Sequence, residues 1–322
     1  MVRRQLFVRF VVCASLPLWL AACVPAKPLS VGVHPWIGYE SFYLAGEFGW
    51  LPPGVAFQQE GAARDSLAAL KAGTLDAATL TLDEVVRARA GGLRLTVVLV
   101  LDVSSGVDMV LAQPGITRLA NLAGKRIGVE RSAMGALVLK YSLMEAGLAA
   151  DAVTVVELSP DQQLAAWRER RVDAVVTYGP NAALLLREGA VKLLDSRKMP
   201  ANRFGVLAVR HDRLPGREDA LRALLGAHFR ALEHLRNNRP DAVYRIAAHQ
   251  GIRASEVVRA MAGVSLPDLA GNRHYLAPGS LFEQEVRRLN EVMTHDRLVP
   301  LGNPLVDLVD AGFLPSEEAF FL

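Results

Sequence analysis

Cysteine is nearly absent: the 322-residue chain has two, Cys13 and Cys23, both close to the first methionine. The rest of the chain therefore has no disulfide, no thiolate nucleophile and no cysteine metal ligand to offer. Basic excess is also missing once the first segment is set aside. Residues 1–22 hold Arg3, Arg4 and Arg9 and no acid, so 33 bases then face 33 acids. A balanced chain gives no support to nucleic-acid binding, which needs a basic face or stripe. No metal site is expected either. His34, His211, His228, His234, His249, His274 and His295 are scattered without ligand spacing, and they read as solvated or core residues. The apolar run Phe10 to Leu20 is too short to span a bilayer as a mature helix, and no low-complexity segment interrupts the chain.

What that first segment does contain is informative. Three arginines precede the apolar run, which ends in Leu20-Ala21-Ala22-Cys23. This order matches a lipoprotein signal peptide over residues 1–22. Small residues suit the processing enzyme, and the Cys23 thiol accepts the diacylglycerol, leaving 23–28 as a lipidated linker. An ordinary signal peptide or an uncleaved anchor is the alternative. Downstream, 51% hydrophobic residues over this length can bury a sizeable core in one large or two ordinary domains.

The stretch that organises the rest is Leu29–Tyr43. A short apolar strand, Leu29 to Val33, enters His34-Pro35-Trp36-Ile37-Gly38-Tyr39 and then a helix from Glu40 to Glu47. Strand-to-helix loops at the carboxyl edge of a parallel sheet carry side chains into a crevice. Pro35 and Gly38 mark a sharp turn that favours display of Trp36 and Tyr39, whereas Phe42 and Tyr43 read as packing residues. Strands then alternate with helices: Val55–Gln59, helix 62–72 closed by Gly73, strand 76–80, and the long strand Leu93 to Leu101. Such alternation predicts a parallel sheet. Met109–Ala112 reads as a crossing into a second lobe. There the rhythm restarts with Arg126–Val129, helix 132–146, Val153–Leu158, a helix begun by Ser159-Pro160-Asp161, and Val172–Val176. Gly205–Val209 reads as a return to the first lobe, followed by helices 218–237, 241–250, 254–262 and 281–293. The expected division is lobe 1 over 29–112, lobe 2 over 113–204, and 205–322 back on lobe 1.

Four groups of residues carry a family resemblance: Trp36-Ile37-Gly38-Tyr39 with Phe42-Tyr43-Leu44-Ala45, Gly73-Thr74-Leu75-Asp76-Ala77, Leu122 to Val129, and Val172 to Val176 before Tyr178-Gly179-Pro180. In that order they resemble a type II periplasmic solute-binding protein of the ABC transporter group serving nitrate, sulfonates, taurine and thiamine-precursor pyrimidines. The resemblance implies an α/β fold of two lobes, each a central sheet flanked by helices, joined by two crossing segments and closing on a small ligand. It implies an ABC permease and its ATPase as partners; a monomer without cofactor is expected, and the segment ending in Cys23 adds a lipid tether on the periplasmic side.

The loops such a fold turns to its crevice are 34–40, 79–84, 102–108, 130–135 and 177–181. They supply ligand-binding candidates Trp36, Tyr39, Thr79, Thr81, Asp83, Ser104, Ser105, Asp108, Ser132 and Tyr178. Arg131 is the only base among these loops, against Glu40, Asp83, Glu84, Asp102, Asp108 and Glu130. So many carboxylates disfavour a buried anion, while aromatic faces beside them suit a cationic nitrogen or flat ring. An amine or flat heterocycle is thus expected before a sulfonate. Thr81-x-x-Glu84 also fits a capping box, Glu40 a helix-start acid, Asp102 and Asp108 a turn, and Ser132 an N-cap. With no nucleophile elbow, metal cluster or phosphate loop, binding without turnover is expected. A ligand-sensing lipoprotein signalling to a sensor kinase or cyclase uses the same features. An enzyme related to thiamine-pyrimidine synthases would need a cysteine-rich stretch that the chain lacks.

Overall fold

A computed structural model describes residues 27–130, 133–199, 203–295, 299–300, 302 and 305–316. The signal segment, Cys23 and Ser132 lie outside these residues. Two sheets organise them. The first is built from β1 (Leu29–Val33), β2 (Val55–Gln59), β3 (Ala77–Thr81) and β4 (Leu95–Ser104), with helices α1 (Glu40–Glu47), α2 (Ala63–Ala72) and α3 (Leu82–Ala90) between them. The second contains β5 (Met109–Ala112), β6 (Arg126–Val129), β7 (Thr154–Glu157), β8 (Ala174–Thr177) and β9 (Val191–Asp195), with α4 (Ala133–Glu145), α5 (Pro160–Arg168) and α6 (Asn181–Arg187). The chain then returns through β10 (Arg203–Arg210), α7 (Glu218–Asn237), α8 (Arg239–Gln250), α9 (Ala254–Met261), the two-residue β11 (Val264–Ser265), α10 (Leu269–Tyr275) and α11 (Leu281–His295).

Strand order is β11-β4-β10-β3-β1-β2 in the first sheet and β7-β6-β8-β5-β9 in the second. Each is a parallel βα sheet with one reversed strand inserted, and the first also carries the short antiparallel β11 at its edge. β10 runs antiparallel to β3 and β4, and β5 antiparallel to β8 and β9. These reversed strands are the ones by which the chain enters each lobe from the other. The fold is therefore the two-lobed α/β arrangement, with one crossing near residues 105–108 and the return made between β9 and β10.

Two boundaries differ from the sequence expectation. Met109–Ala112 pairs with β8 and β9 and so belongs to the second sheet, although the division after Ala112 put it in the first lobe. Its alternating apolar residues fit either sheet, and pairing partners decide. The return strand begins at Arg203, opposite Ser104, two residues before the apolar run that signalled it. α10 had no clear sequence signal either. It is held because buried Asn272 takes the Val100 amide at 2.7 Å and returns a bond to the Val100 carbonyl at 3.1 Å.

The buried faces follow the strand pattern. β3 and β4 are buried on both faces, as strands covered by helices on each side must be. Capping glycines sit where the sequence put them: Gly73, with φ +76°, ends α2 in the left-handed region. Among the described residues, no helix is long and apolar enough to cross a membrane.

Candidate functional site

The β1–α1 loop crosses the gap between the lobes. Trp36 and Tyr39 are buried there, contrary to the display that Pro35 and Gly38 suggested. The turn does project them away from their own strand, but the second lobe and β10 close over them. Trp36 meets Tyr178 of the second lobe edge-on, ring centroids 5.8 Å apart. Its indole Nε1 donates to Asp102 Oδ2 at 3.0 Å. Gly38 and Gly205 make this approach possible, because a Cβ on either would collide with the Asp102 carboxylate.

At the centre is Arg203, the first residue of β10. Its guanidinium lies 4.9 Å from the Trp36 ring and 4.8 Å from the Tyr178 ring, and donates to Asp108 Oδ1 at 2.7 Å. Both partners of this ion pair are buried. Burial acts to deprotonate Arg203, but Asp108, Tyr178 and Tyr39 outweigh it and raise its pKa above the ordinary arginine range. Two rings and a carboxylate therefore fix one buried cation where the lobes meet.

Carboxylates surround it. Burial pushes Glu84 up to about 8, with Asp83 and Glu130 adding to the rise. Burial likewise raises Asp102 to about 6 against the opposing pull of Arg203 and the Trp36 hydrogen bond. Asp108 and Glu130 are raised by burial and partly restored by Arg203. Glu130 also accepts the Tyr178 hydroxyl at 3.3 Å. His34 is held neutral, its pKa lowered to about 3 by burial and then by Arg203.

Among the described residues, buried polar atoms of this cluster without a hydrogen-bond partner include Tyr39 Oη, Asp83 Oδ2 and Asp108 Oδ2, whereas Ser104 bonds the Asp102 carboxylate and the Thr81 side chain caps α3. Buried polar atoms are normally satisfied, so a concentration of orphans at one interface marks a place that a polar solute completes. The carboxylate oxygens can only accept when ionised, which sets what that solute must bring.

Most of the sequence candidates converge here: Trp36, Tyr39, Asp83, Asp108 and Tyr178 interact with Arg203 or its carboxylate partners, and Thr81 and Ser104 flank them on β3 and β4 opposite the start of β10, while Thr79 lies further along β3 opposite Leu207. Ser105 does not: its amide is bonded to the Gly263 carbonyl at 3.0 Å, on the side towards β11. Glu84 accepts the Thr81 amide at 2.7 Å, as the capping reading expected. Glu40 is occupied by His249 at 3.0 Å and by Gln250. Arg203 was missed. It sits at the start of a returning strand, whereas the sequence candidates belong to loops at strand carboxyl ends. Arg203 adds a base that lies outside the loops named from the sequence.

A larger opening adjoins this cluster. A cavity of about 560 Å³ runs beside Trp36 between α6 of the second lobe and α9 of the first.

Comparison with known proteins agrees with the architecture. The alkanesulfonate-binding protein SsuA from Xanthomonas axonopodis pv. citri, solved with MOPS, matches with TM-score 0.71 at 21% identity, covering 88% of this chain and 99% of that one. A ligand-binding component of an ABC-type import system from Staphylococcus aureus, solved with zinc, matches with TM-score 0.72 at 16% identity, covering 89% and 97%. The desulfurization enzyme DszB matches with TM-score 0.63 at 16% identity, covering 88% and 97%. At these identities the likeness is one of fold. In sequence, a putative binding protein of Brucella abortus is 34% identical over 73 residues, a match spanning 23% of this chain and 23% of the relative. The model of the family described as NMT1/THI5 like matches residues 42–242, and the chain belongs to that family.

Proposed function

We propose that this protein is a solute-binding protein of an ABC import system, held on the periplasmic side of a bacterial membrane by a lipid on Cys23. It encloses a small, flat, N–H-donating solute between its lobes and passes it to the permease and its ATPase. An amine or amino-substituted heterocycle is the favoured class. The observation that carries this is the pair of buried, partnerless acceptor oxygens on Asp83 and Asp108 beside the Trp36–Tyr178 pair. Leaving such an acceptor unmet costs about 1–3 kcal/mol, which a donor-rich solute recovers on binding. Family membership and the two-lobed fold support the class of protein, and the sequence before Cys23 supports the tether.

A sulfonate is the second reading, favoured by Arg203 and by the titles of the sulfonate-binding neighbours. Against it, Asp108 already engages Arg203, and Asp83, Glu84, Asp102 and Glu130 add like charge or proton demand around any anion. Turnover has little to work with. His34 is buried beside Tyr39 with no nucleophile at hand, and the two cysteines precede the folded lobes.

A thermal-shift screen separates the readings. 4-Aminopyrimidines, benzamidine and phenethylamine are set against methanesulfonate and MOPS. A rise in melting temperature with members of the first set and none with the second is expected. Stabilisation by sulfonates alone would overturn the donor argument while leaving the fold untouched.

A further inference from the structure

Ion pairs also join the lobes away from Arg203. Arg187, the last residue of α6 in the second lobe, meets the Glu256 carboxylate of α9 in the first at 3.1 Å. Arg64 of α2 lies 4.0 Å from Asp161 of α5, but both side chains are more than half exposed, and pairs of that kind contribute little. Glu256 is different: its side chain is 3% exposed and its own helix holds it in place. Arg253, just before α9, donates its amide to Glu256 Oε2 at 2.8 Å and its guanidinium to Oε1 at 3.0 Å. This cap lies wholly within the first lobe, so it persists whether the lobes are together or apart. The carboxylate is thus presented to Arg187 already oriented, and little side-chain freedom is lost on that side when the pair forms. Among the described residues, Arg187 makes no other ion pair.

We infer that Arg187 and Glu256 form a latch between the lobes, which keeps a fraction of the solute-free protein closed and thereby tunes the affinity of the site between them. A pair with one member on each lobe is made when the lobes meet and broken when they part, whereas Arg253–Glu256 is kept in both states. Release is easy for the same reason. On opening, Arg187, already 35% exposed, passes to water, and Glu256 retains Arg253, so no buried charge is stranded. The latch therefore biases closure without locking it. A solute that binds the closed form has an apparent dissociation constant inversely proportional to the closed fraction, so losing the latch weakens binding by the factor by which that fraction falls. The inference rests on the reading of the protein as a two-lobed binder, and not on which solute it takes.

The test is double electron–electron resonance on the chain from residue 23, without added solute. The folded lobes contain no cysteine, so with Cys23→Ser, the changes Met144→Cys on α4 and Tyr244→Cys on α8 place one spin label on each lobe, at side chains 62% and 73% exposed. Two distance populations are expected, the closed one at the separation found in the structure. Arg187→Gln should lower the ratio of closed to open about threefold or more, and Arg187→Lys, which keeps the charge, should retain most of it. Arg253→Gln, which strips the same carboxylate of a base inside one lobe, should not lower the ratio. A closed fraction that is the same in Arg187→Gln as in the parent, including one that is nil or complete in both, overturns the inference. So does an equal fall with Arg253→Gln, since the effect would then belong to the cap of α9. No arm contains a solute, so failure of the amine screen leaves these outcomes readable.

Discussion

Replacing Arg203 by methionine removes the guanidinium while keeping much of the side chain's volume between Trp36 and Tyr178. Asp108 then loses the partner 2.7 Å away and remains buried. Breaking a buried pair from one side costs about 3–5 kcal/mol, because the remaining charge has neither water nor counter-ion. Asp108 has an escape, which is to take up a proton. Its pKa is already raised by burial and is held back mainly by Arg203, so losing that cation raises it further. A carboxyl whose folded pKa exceeds its unfolded value contributes stability that is complete below the unfolded pKa and is lost as pH rises through the folded one. The deficit of the variant should therefore be greatest near pH 8 and shrink on acidification by up to about 1.4 kcal/mol per pH unit. Denaturant melts of both proteins at pH 8, 7 and 6 measure it. A deficit that is the same at every pH, or none at all, would refute the placement of Arg203 as counter-ion to a buried acid.

Trp36→Ala or Tyr178→Ala should weaken binding of the best amine or heterocycle probe by about 1–3 kcal/mol, through loss of aromatic surface at the lobe junction, read by calorimetry. A melting collapse with unchanged affinity in the surviving fold would make them packing residues only. The wild-type protein should gain stability as pH falls from 8 to 6.5, because Glu84, raised to about 8 from 4.5, takes up its proton in the folded state first. Below 6.5 that gain should level off, as the histidines begin to oppose Glu84 and Asp102. His34 and His228, lowered to about 3 by burial, give stability that is present above the ordinary histidine pKa and lost on acidification. Glu84→Gln should flatten the upper limb and leave the lower one, as followed by melting temperature; an unaltered upper limb would contradict the assignment.

The fold was legible because its signals are local and repeated. Apolar strands alternate with amphipathic helices, and Gly73 and Gly147 stop helices in the left-handed conformation that the sequence reading required of them. Loop candidates such as Trp36, Thr79, Asp83 and Tyr178 could be named because a βα loop at a sheet's carboxyl edge has a known direction. What could not be read was pairing across distance. Arg203 lies at the amino end of a strand whose signalling run begins at Gly205, and nothing local says that it faces Asp108, 95 positions earlier. The burial of Trp36 likewise depends on Tyr178 and Asp102 arriving from other strands. Met109–Ala112 was placed in the wrong lobe for the same reason, since a four-residue apolar strand does not state which sheet will pair with it.

Closure over a solute is the centre of this account, and small-angle X-ray scattering reads it directly. With the probe that gives the largest thermal shift in the amine and heterocycle set, the mature protein should show a smaller radius of gyration than without it, and Tyr178→Ala should blunt the change at equal probe concentration. An unchanged radius at saturating probe would contradict the claim that these two lobes shut on what they bind.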